Sequence, residues 1–113
     1  MSTFRETVQG DCVVLELEGK LDASTTPDIQ SRLLEIIRSG QKYLALDFKA
    51  VSYMASSGLR MLLVLATTTA DLEGRLVLCS LDQTILDTLT LVGFLPNFLI
   101  AADSAATLAL LEA

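Results

Sequence analysis

The segment Tyr43-Leu-Ala-Leu-Asp-Phe-Lys-Ala-Val-Ser-Tyr-Met-Ala-Ser-Ser-Gly-Leu-Arg-Met-Leu-Leu-Val-Leu-Ala66 decides how the rest of the chain is read. Over Tyr43 to Phe48, Leu44, Leu46 and Phe48 alternate with Tyr43, Ala45 and Asp47, and the run is short and largely apolar, which predicts a buried strand. From Leu59 the period changes. Leu59, Leu62, Leu63, Ala66 and Ala70 fall at the three- and four-residue spacing of one helix face, predicting an inward stripe with Arg60, Met61, Val64 and Thr68 opposite. A short connection joins strand to helix, and Ser56-Ser57-Gly58 forms the corner where the helix begins. A serine hydroxyl can accept an amide N–H left unpaired in a first helical turn, so the two serines read equally as a capping pair or as a chemically available corner.

On the N-terminal side, Phe4 to Val8 and Cys12 to Glu18 flank Gln9-Gly10-Asp11, the pattern of a β-hairpin. Val13, Leu15 and Leu17 point one way, while Val14, Glu16 and Glu18 point the other, giving one core face and one wetter face. Lys20 to Ser24 form a loop before a helix with Thr26 as N-cap, Pro27 at the first helical position and Asp28 in the first turn. Its stripe is Ile29, Leu33, Ile36 and Ile37, and Gly40 ends it. On the C-terminal side, the central helix runs to about Leu72, and Glu73-Gly74 leads into a strand at Arg75 to Cys79. Asp82 caps a helix bearing Ile85, Leu86, Leu89 and Val92, closed by Gly93. Pro96 precedes a short strand at Phe98 to Ile100, and Asp103 or Ser104 caps a last helix carrying Leu108 and Leu111. Helices alternating with strands after a hairpin predict a single α/β domain with a mostly parallel sheet and one antiparallel partner.

The 113 residues are enough for one core, and with 51% hydrophobic and 19% charged residues a compact globule is expected. A net charge of −6, with eight scattered Lys and Arg, argues against binding nucleic acid or an anionic membrane through a basic face. Neither a secretory signal nor a run of about 20 apolar residues is expected to direct the chain into a membrane. Cys12 and Cys79 stand alone, which excludes a Cys-x-x-Cys redox or zinc motif and predicts buried thiols in a reducing cytoplasm. The chain has no His. Ser-His-Asp and Cys-His catalysis and His-ligated metal centres are thereby excluded. No Gly-x-x-x-x-Gly-Lys loop or Gly-x-Gly-x-x-Gly turn is present either. The expectation is a binding protein rather than an enzyme, with no cofactor and no metal.

The run Ser52-Tyr-Met-Ala-Ser-Ser-Gly-Leu-Arg60, preceded by Leu46-Asp-Phe48, resembles the phosphorylation-site segment of STAS domains, the family named for sulfate transporters and anti-sigma factor antagonists. Leu17-Glu-Gly-Lys-Leu-Asp-Ala-Ser-Thr25 resembles that family's second signature, a Gly-x-Leu-Asp strand end followed by a small polar loop. The resemblance covers nearly the whole chain. It implies one STAS domain over 1–113: a small mixed sheet of about five strands, with an N-terminal hairpin, parallel β-α-β units and about four helices largely on one side.

The resemblance also implies a site. In anti-sigma factor antagonists the phosphorylated serine follows an Asp, and its position matches Ser56, with Ser57 the weaker candidate. That Asp is Ala55 here. The partner-binding surface implied by the resemblance and the helix faces comprises Asp22, Ser24, Thr25, Ala55, Ser57, Gly58, Arg60, Met61 and Val64. Arg60, four residues after Ser56, reads as a solvated helix residue or as a phosphate partner. Met61 and Val64 read as packing under a neighbouring helix or as the apolar part of the docking surface. The partner implied is an anti-sigma factor that is also a serine kinase of the histidine-kinase-like ATPase type, with a phosphatase to reset the switch. Two functions remain open: a phosphorylation-controlled partner switch, and a constitutive binding subunit of a lipid-transport or sensory complex, which Ala55 favours.

Overall fold

A computed structural model of the chain describes residues 4–91, 93 and 98–102. The elements in order are β1 (Phe4–Gln9), β2 (Cys12–Leu21), α1 (Thr26–Arg38), β3 (Tyr43–Met54), α2 (Ser56–Asp71), β4 (Arg75–Cys79), α3 (Gln83–Leu91) and β5 (Leu99–Ala101). They form one five-stranded sheet in the order β1-β2-β3-β4-β5, with β1 antiparallel to β2 and every other neighbour parallel. The hairpin turns at Gly10-Asp11, where Gly10 has φ 62° and so takes a conformation glycine adopts without steric penalty. A last helix starting at Asp103 or Ser104, and the stop at Pro96, lie outside the described residues.

The alternation read from β2 holds. Val13, Leu15, Leu17 and Leu21 join Leu44, Leu46, Phe48 and Val51 of β3 in one core with residues of all three described helices: Ile29, Leu33, Ile36 and Ile37 of α1, Met61, Leu62 and Leu65 of α2, and Ile85 and Leu89 of α3. These helices therefore cover one face of the sheet. On the other face Cys12, Ala45, Val77, Cys79 and Ala101 form a second, smaller cluster, and both cysteines are buried. Leu44 to Phe48 are consequently buried without interruption, as expected of a central parallel strand with both faces covered.

Three local expectations are corrected. β3 does not stop at Phe48 but runs to Met54. It stays paired with β2 to the end because register shifts between Glu16 and Glu18 and between Gly19 and Lys20 let the two strands bend together. α1 is not capped by Thr26, which is buried inside the helix; the N-cap position is Thr25, whose hydroxyl turns back into the preceding turn. The inward stripe of α2 is Gly58, Met61, Leu62, Leu65 and Thr69; of the expected set, Leu62 is buried, Leu59, Leu63 and Ala66 pack half-buried at the edge of the core, and Ala70 is exposed. Thr69 is admitted to the core because its hydroxyl donates to Leu65 O at 2.8 Å and so carries no unpaired polar atom inward.

The exit from α2 follows the expected tight turn. Gly74 N–H reaches Thr69 O at 2.7 Å, and Arg75 N–H reaches Lys42 O at 2.8 Å. A Cβ at Gly74 would collide with the Lys42 carbonyl, so that close pass requires glycine. At the β1 edge of the sheet the strand is tied to α1: Arg32 makes a two-pronged ion pair with Glu6, at 2.7 and 2.8 Å, and a third contact with Glu35 at 2.7 Å. The Arg32 guanidinium holds the Glu6 carboxyl below its usual range.

Candidate functional site

Because β2, β3 and β4 are parallel, the segments that follow them emerge at one end of the sheet, where such folds place their binding surfaces. Two of these segments touch. Leu21, the last residue of β2, accepts the Ala55 N–H through its carbonyl at 2.8 Å, so that Asp22 and Ser56 directly follow the two bonded residues. The sequence separates these positions widely; the parallel register brings them together.

The turn after β2 is densely bonded. Asp22 Oδ1 accepts the Ser24 N–H at 3.0 Å and the Ser24 hydroxyl at 2.7 Å. The Thr25 hydroxyl accepts the Asp22 N–H at 3.0 Å and donates to Lys20 O at 2.7 Å. Asp22 O receives the Thr25 and Thr26 N–H groups at 3.2 and 3.0 Å. This is the short-range bonding for which Asp, Ser and Thr are favoured in turns. The Ser24 hydroxyl first, then the Ser24 and Thr25 backbone N–H groups, hold the Asp22 carboxyl below its ordinary value. Asp22 therefore presents a carboxylate at neutral pH, fixed in place by its own loop.

The corner after β3 is different. Its N-cap residue is Ala55, extended at φ −86° and ψ 177°, and it has no side chain that could cap. Ala55 O takes the N–H groups of Gly58 and Leu59 at 3.0 and 3.3 Å, while the amides of Ser56 and Ser57 find no acceptor among the described residues. Ser56 occupies the first helical position and its side chain is exposed. The Ser57 hydroxyl is enclosed and has no hydrogen-bond partner among the described residues. Neither serine is a cap, which corrects the capping-pair reading. Gly58 lets this turn sit low: a Cβ there would lie 2.6 Å from Met54 Cγ and 3.3 Å from Leu21 Cβ.

Of the residues expected to face a partner, Asp22, Ser24, Thr25, Ala55, Ser57 and Gly58 converge at this end of the sheet, although Gly58 itself is buried. Arg60 is exposed and makes no ion pair among the described residues, and Val64 is 36% exposed on the same helix. Met61 does not belong to the surface. It is 1% exposed and packs in the core, because the helix is rotated so that Gly58, Met61, Leu62 and Leu65 face the sheet. Sequence reasoning missed Tyr53, which is 55% exposed beside the corner, and the hollow it borders together with Asp82. The signal was available in the continued strand pattern beyond Phe48, which carries an aromatic residue to the edge of the site.

The pattern of the STAS domain family matches residues 4–107. The Bordetella bronchiseptica protein named as the anti-sigma factor antagonist BtrV is 28% identical over 93 residues, spanning 82% of this chain and 80% of its own. Among solved structures, a Thermotoga maritima protein named as an anti-sigma factor antagonist superposes with a TM-score of 0.92 at 14% identity, over 97% of this chain and 95% of that one. The phosphorylated form of the Bacillus cell fate determinant SpoIIAA gives 0.76 at 24% identity, over 95% and 98%. Moorella thermoacetica RsbS gives 0.84 at 24% identity, over 98% and 96%. At these identities the structural likenesses establish the fold.

Proposed function

The chain belongs to the STAS domain family, and from that premise we propose that it is an anti-sigma factor antagonist whose docking surface is switched by phosphorylation of Ser56. The observation that carries the proposal is the contrast at the corner: the Ser56 side chain is exposed, whereas the Ser57 hydroxyl is enclosed, so a kinase reaches the first and not the second. Ser56 also opens a helix whose first two amides lack acceptors among the described residues. A phosphate there adds a charge of about −1.5 to −2 and meets those N–H groups and the positive end of the helix dipole, so the domain tolerates it. The exposed Arg60 lies one turn further along and adds a compensating charge. The effect falls on the partner, since a dianion in the middle of a contact must be desolvated and is repelled by facing carboxylates.

In this reading the partner is an anti-sigma factor that is itself a serine kinase of the histidine-kinase-like ATPase type, a phosphatase restores the free serine, and the switch works in the cytoplasm without catalysing a reaction of its own. One observation favours the constitutive binding subunit instead: Ala55 stands where a carboxylate precedes the acceptor in the antagonists, so a contact read by the kinase is absent. The deciding experiment incubates the protein with the candidate kinase and ATP, maps the modified peptide by mass spectrometry, and compares partner affinity of Ser56→Asp and Ser56→Ala. Phosphate on Ser56 and selective loss of binding in Ser56→Asp support the switch. No phosphate, with equal affinities for both variants, establishes the constitutive subunit.

A further inference from the structure

Next to the Ser56 corner lies a hollow of about 200 Å³ between the end of β3 and the start of α3. We propose that it is the seat of an arginine side chain from the docking partner, an inference that rests on the reading of this end of the sheet as the docking face. Its walls are unlike one another. Met54 and Ile85 supply apolar surface, Tyr53 supplies an aromatic ring that is 55% exposed, and Asp82 supplies a carboxylate. Asp82 Oδ1 accepts the Ile85 N–H at 2.8 Å and so caps α3, while its second oxygen has no partner among the described residues. Among the described residues no Lys or Arg borders the hollow.

An aliphatic occupant would strip water from that free carboxylate oxygen and return nothing to it. An anion would be repelled by it. A guanidinium satisfies every wall at once: its methylene stem lies along Met54 and Ile85, its flat face stacks on the Tyr53 ring, and its in-plane N–H groups donate to Asp82. An ammonium has no flat face to stack, which selects arginine over lysine. The hollow is continuous with the switch. Met54 is both its wall and the side chain beneath Gly58 in the first turn of α2, one residue before Ala55. The chain's net charge of −6 draws a basic surface toward it in any orientation.

The test needs neither partner nor phosphate. Isotopically labelled protein is titrated with N-acetyl-L-argininamide, with N-acetyl-L-leucinamide as the comparison, and amide chemical shifts are followed. The expected result is saturable shifts at millimolar concentration for residues 52–54 and 82–88 with the arginine probe alone. Asp82→Asn, which keeps a good helix cap, and Tyr53→Leu each weaken binding about three- to tenfold, whereas Tyr53→Phe does not. Equal shifts with the leucine probe, shifts elsewhere on the surface, or unchanged binding in Asp82→Asn overturn the assignment. A negative titration leaves the Ser56 switch standing, and a Ser56 that accepts no phosphate leaves a positive titration intact, so the two readings fail separately.

Discussion

The two loops that meet at the Leu21–Ala55 bond were built from similar residues and do opposite things. In the turn Lys20 to Thr25, the Asp22, Ser24 and Thr25 side chains all bond within the loop. In the corner Ala55 to Ser57 no side chain bonds to anything among the described residues: Ala55 cannot, Ser56 faces solvent, and the Ser57 hydroxyl is enclosed without a partner there. The first loop is a frame whose shape is fixed by short-range chemistry. The second is held by its neighbours, through Leu21 O and the packing under Gly58, and its side-chain chemistry is left unspent. A small polar loop that is locally satisfied positions a surface; one left unsatisfied leaves room for the modification proposed at Ser56.

Leu21 is the post shared by both loops, so its removal should give the largest effect. It is fully buried, and Leu21→Ala leaves a cavity under the first turn of α2 while keeping the carbonyl that holds Ala55. The expected loss is about 2–5 kcal/mol in urea unfolding. A loss below about 1 kcal/mol would mean that the two corners are held independently. Next in size is Thr25→Val, which keeps the shape of the side chain but leaves the half-buried Asp22 N–H without its acceptor and Lys20 O to solvent. The expected loss is about 1–3 kcal/mol, with faster hydrogen exchange at the Asp22 amide. If Thr25→Val proves neutral, the dense bonding of the first loop does not set its stability.

These differences show what the sequence can and cannot reveal. The strands, the hairpin turn and the stops at Gly40 and Gly74 follow from alternation and from glycine, because those signals are local. The phase of α2 does not, because Leu59 and Met61 to Ala66 are apolar on every side and periodicity has nothing to choose between. The phase is set by tertiary contact: Gly58 must lie against Leu21 and Met54, and that rotation carries Met61 inward and leaves Ala70 outside. Thr69 carries no apolar signal that would mark it as inward, although a threonine that bonds back to its own helix is compatible with a core. The site was legible as two motifs, but only the parallel register of β2 and β3 joins Asp22 to Ser56.

Filling the empty cap should convert the second corner toward the first. Ala55 already has the extended backbone that a capping residue needs, and the amides of Ser57 and Gly58 lie within the first turn that such a side chain serves. Ala55→Asp is expected to stabilise the domain by about 0.5–2 kcal/mol at neutral pH, read from the urea midpoint. The same variant supplies the carboxylate that precedes the acceptor in the antagonists this chain resembles, so, as a test of the proposed switch, any phosphate transfer to Ser56 is measured on it in parallel. Destabilisation would show instead that the Asp22 carboxylate across the Leu21–Ala55 bond repels a charge at position 55.

The smallest effect is the sharpest test of the contrast. A serine that caps a helix costs about 0.5–2 kcal/mol when replaced by alanine, and composition alone places Ser57 in that class. Its hydroxyl has no partner, so Ser57→Ala removes an enclosed polar atom without breaking a bond, and the change in stability is expected to stay within about 0.5 kcal/mol and to be as readily a gain as a loss. On the proposed switch, the alanine variant should accept phosphate to the same extent as the parent, because Ser56 stays exposed and untouched. A loss of about 1 kcal/mol or more would mean that Ser57 holds the turn through an ordered water. The second corner would then be as satisfied as the first, and the openness of the Ser56 position would need a different cause.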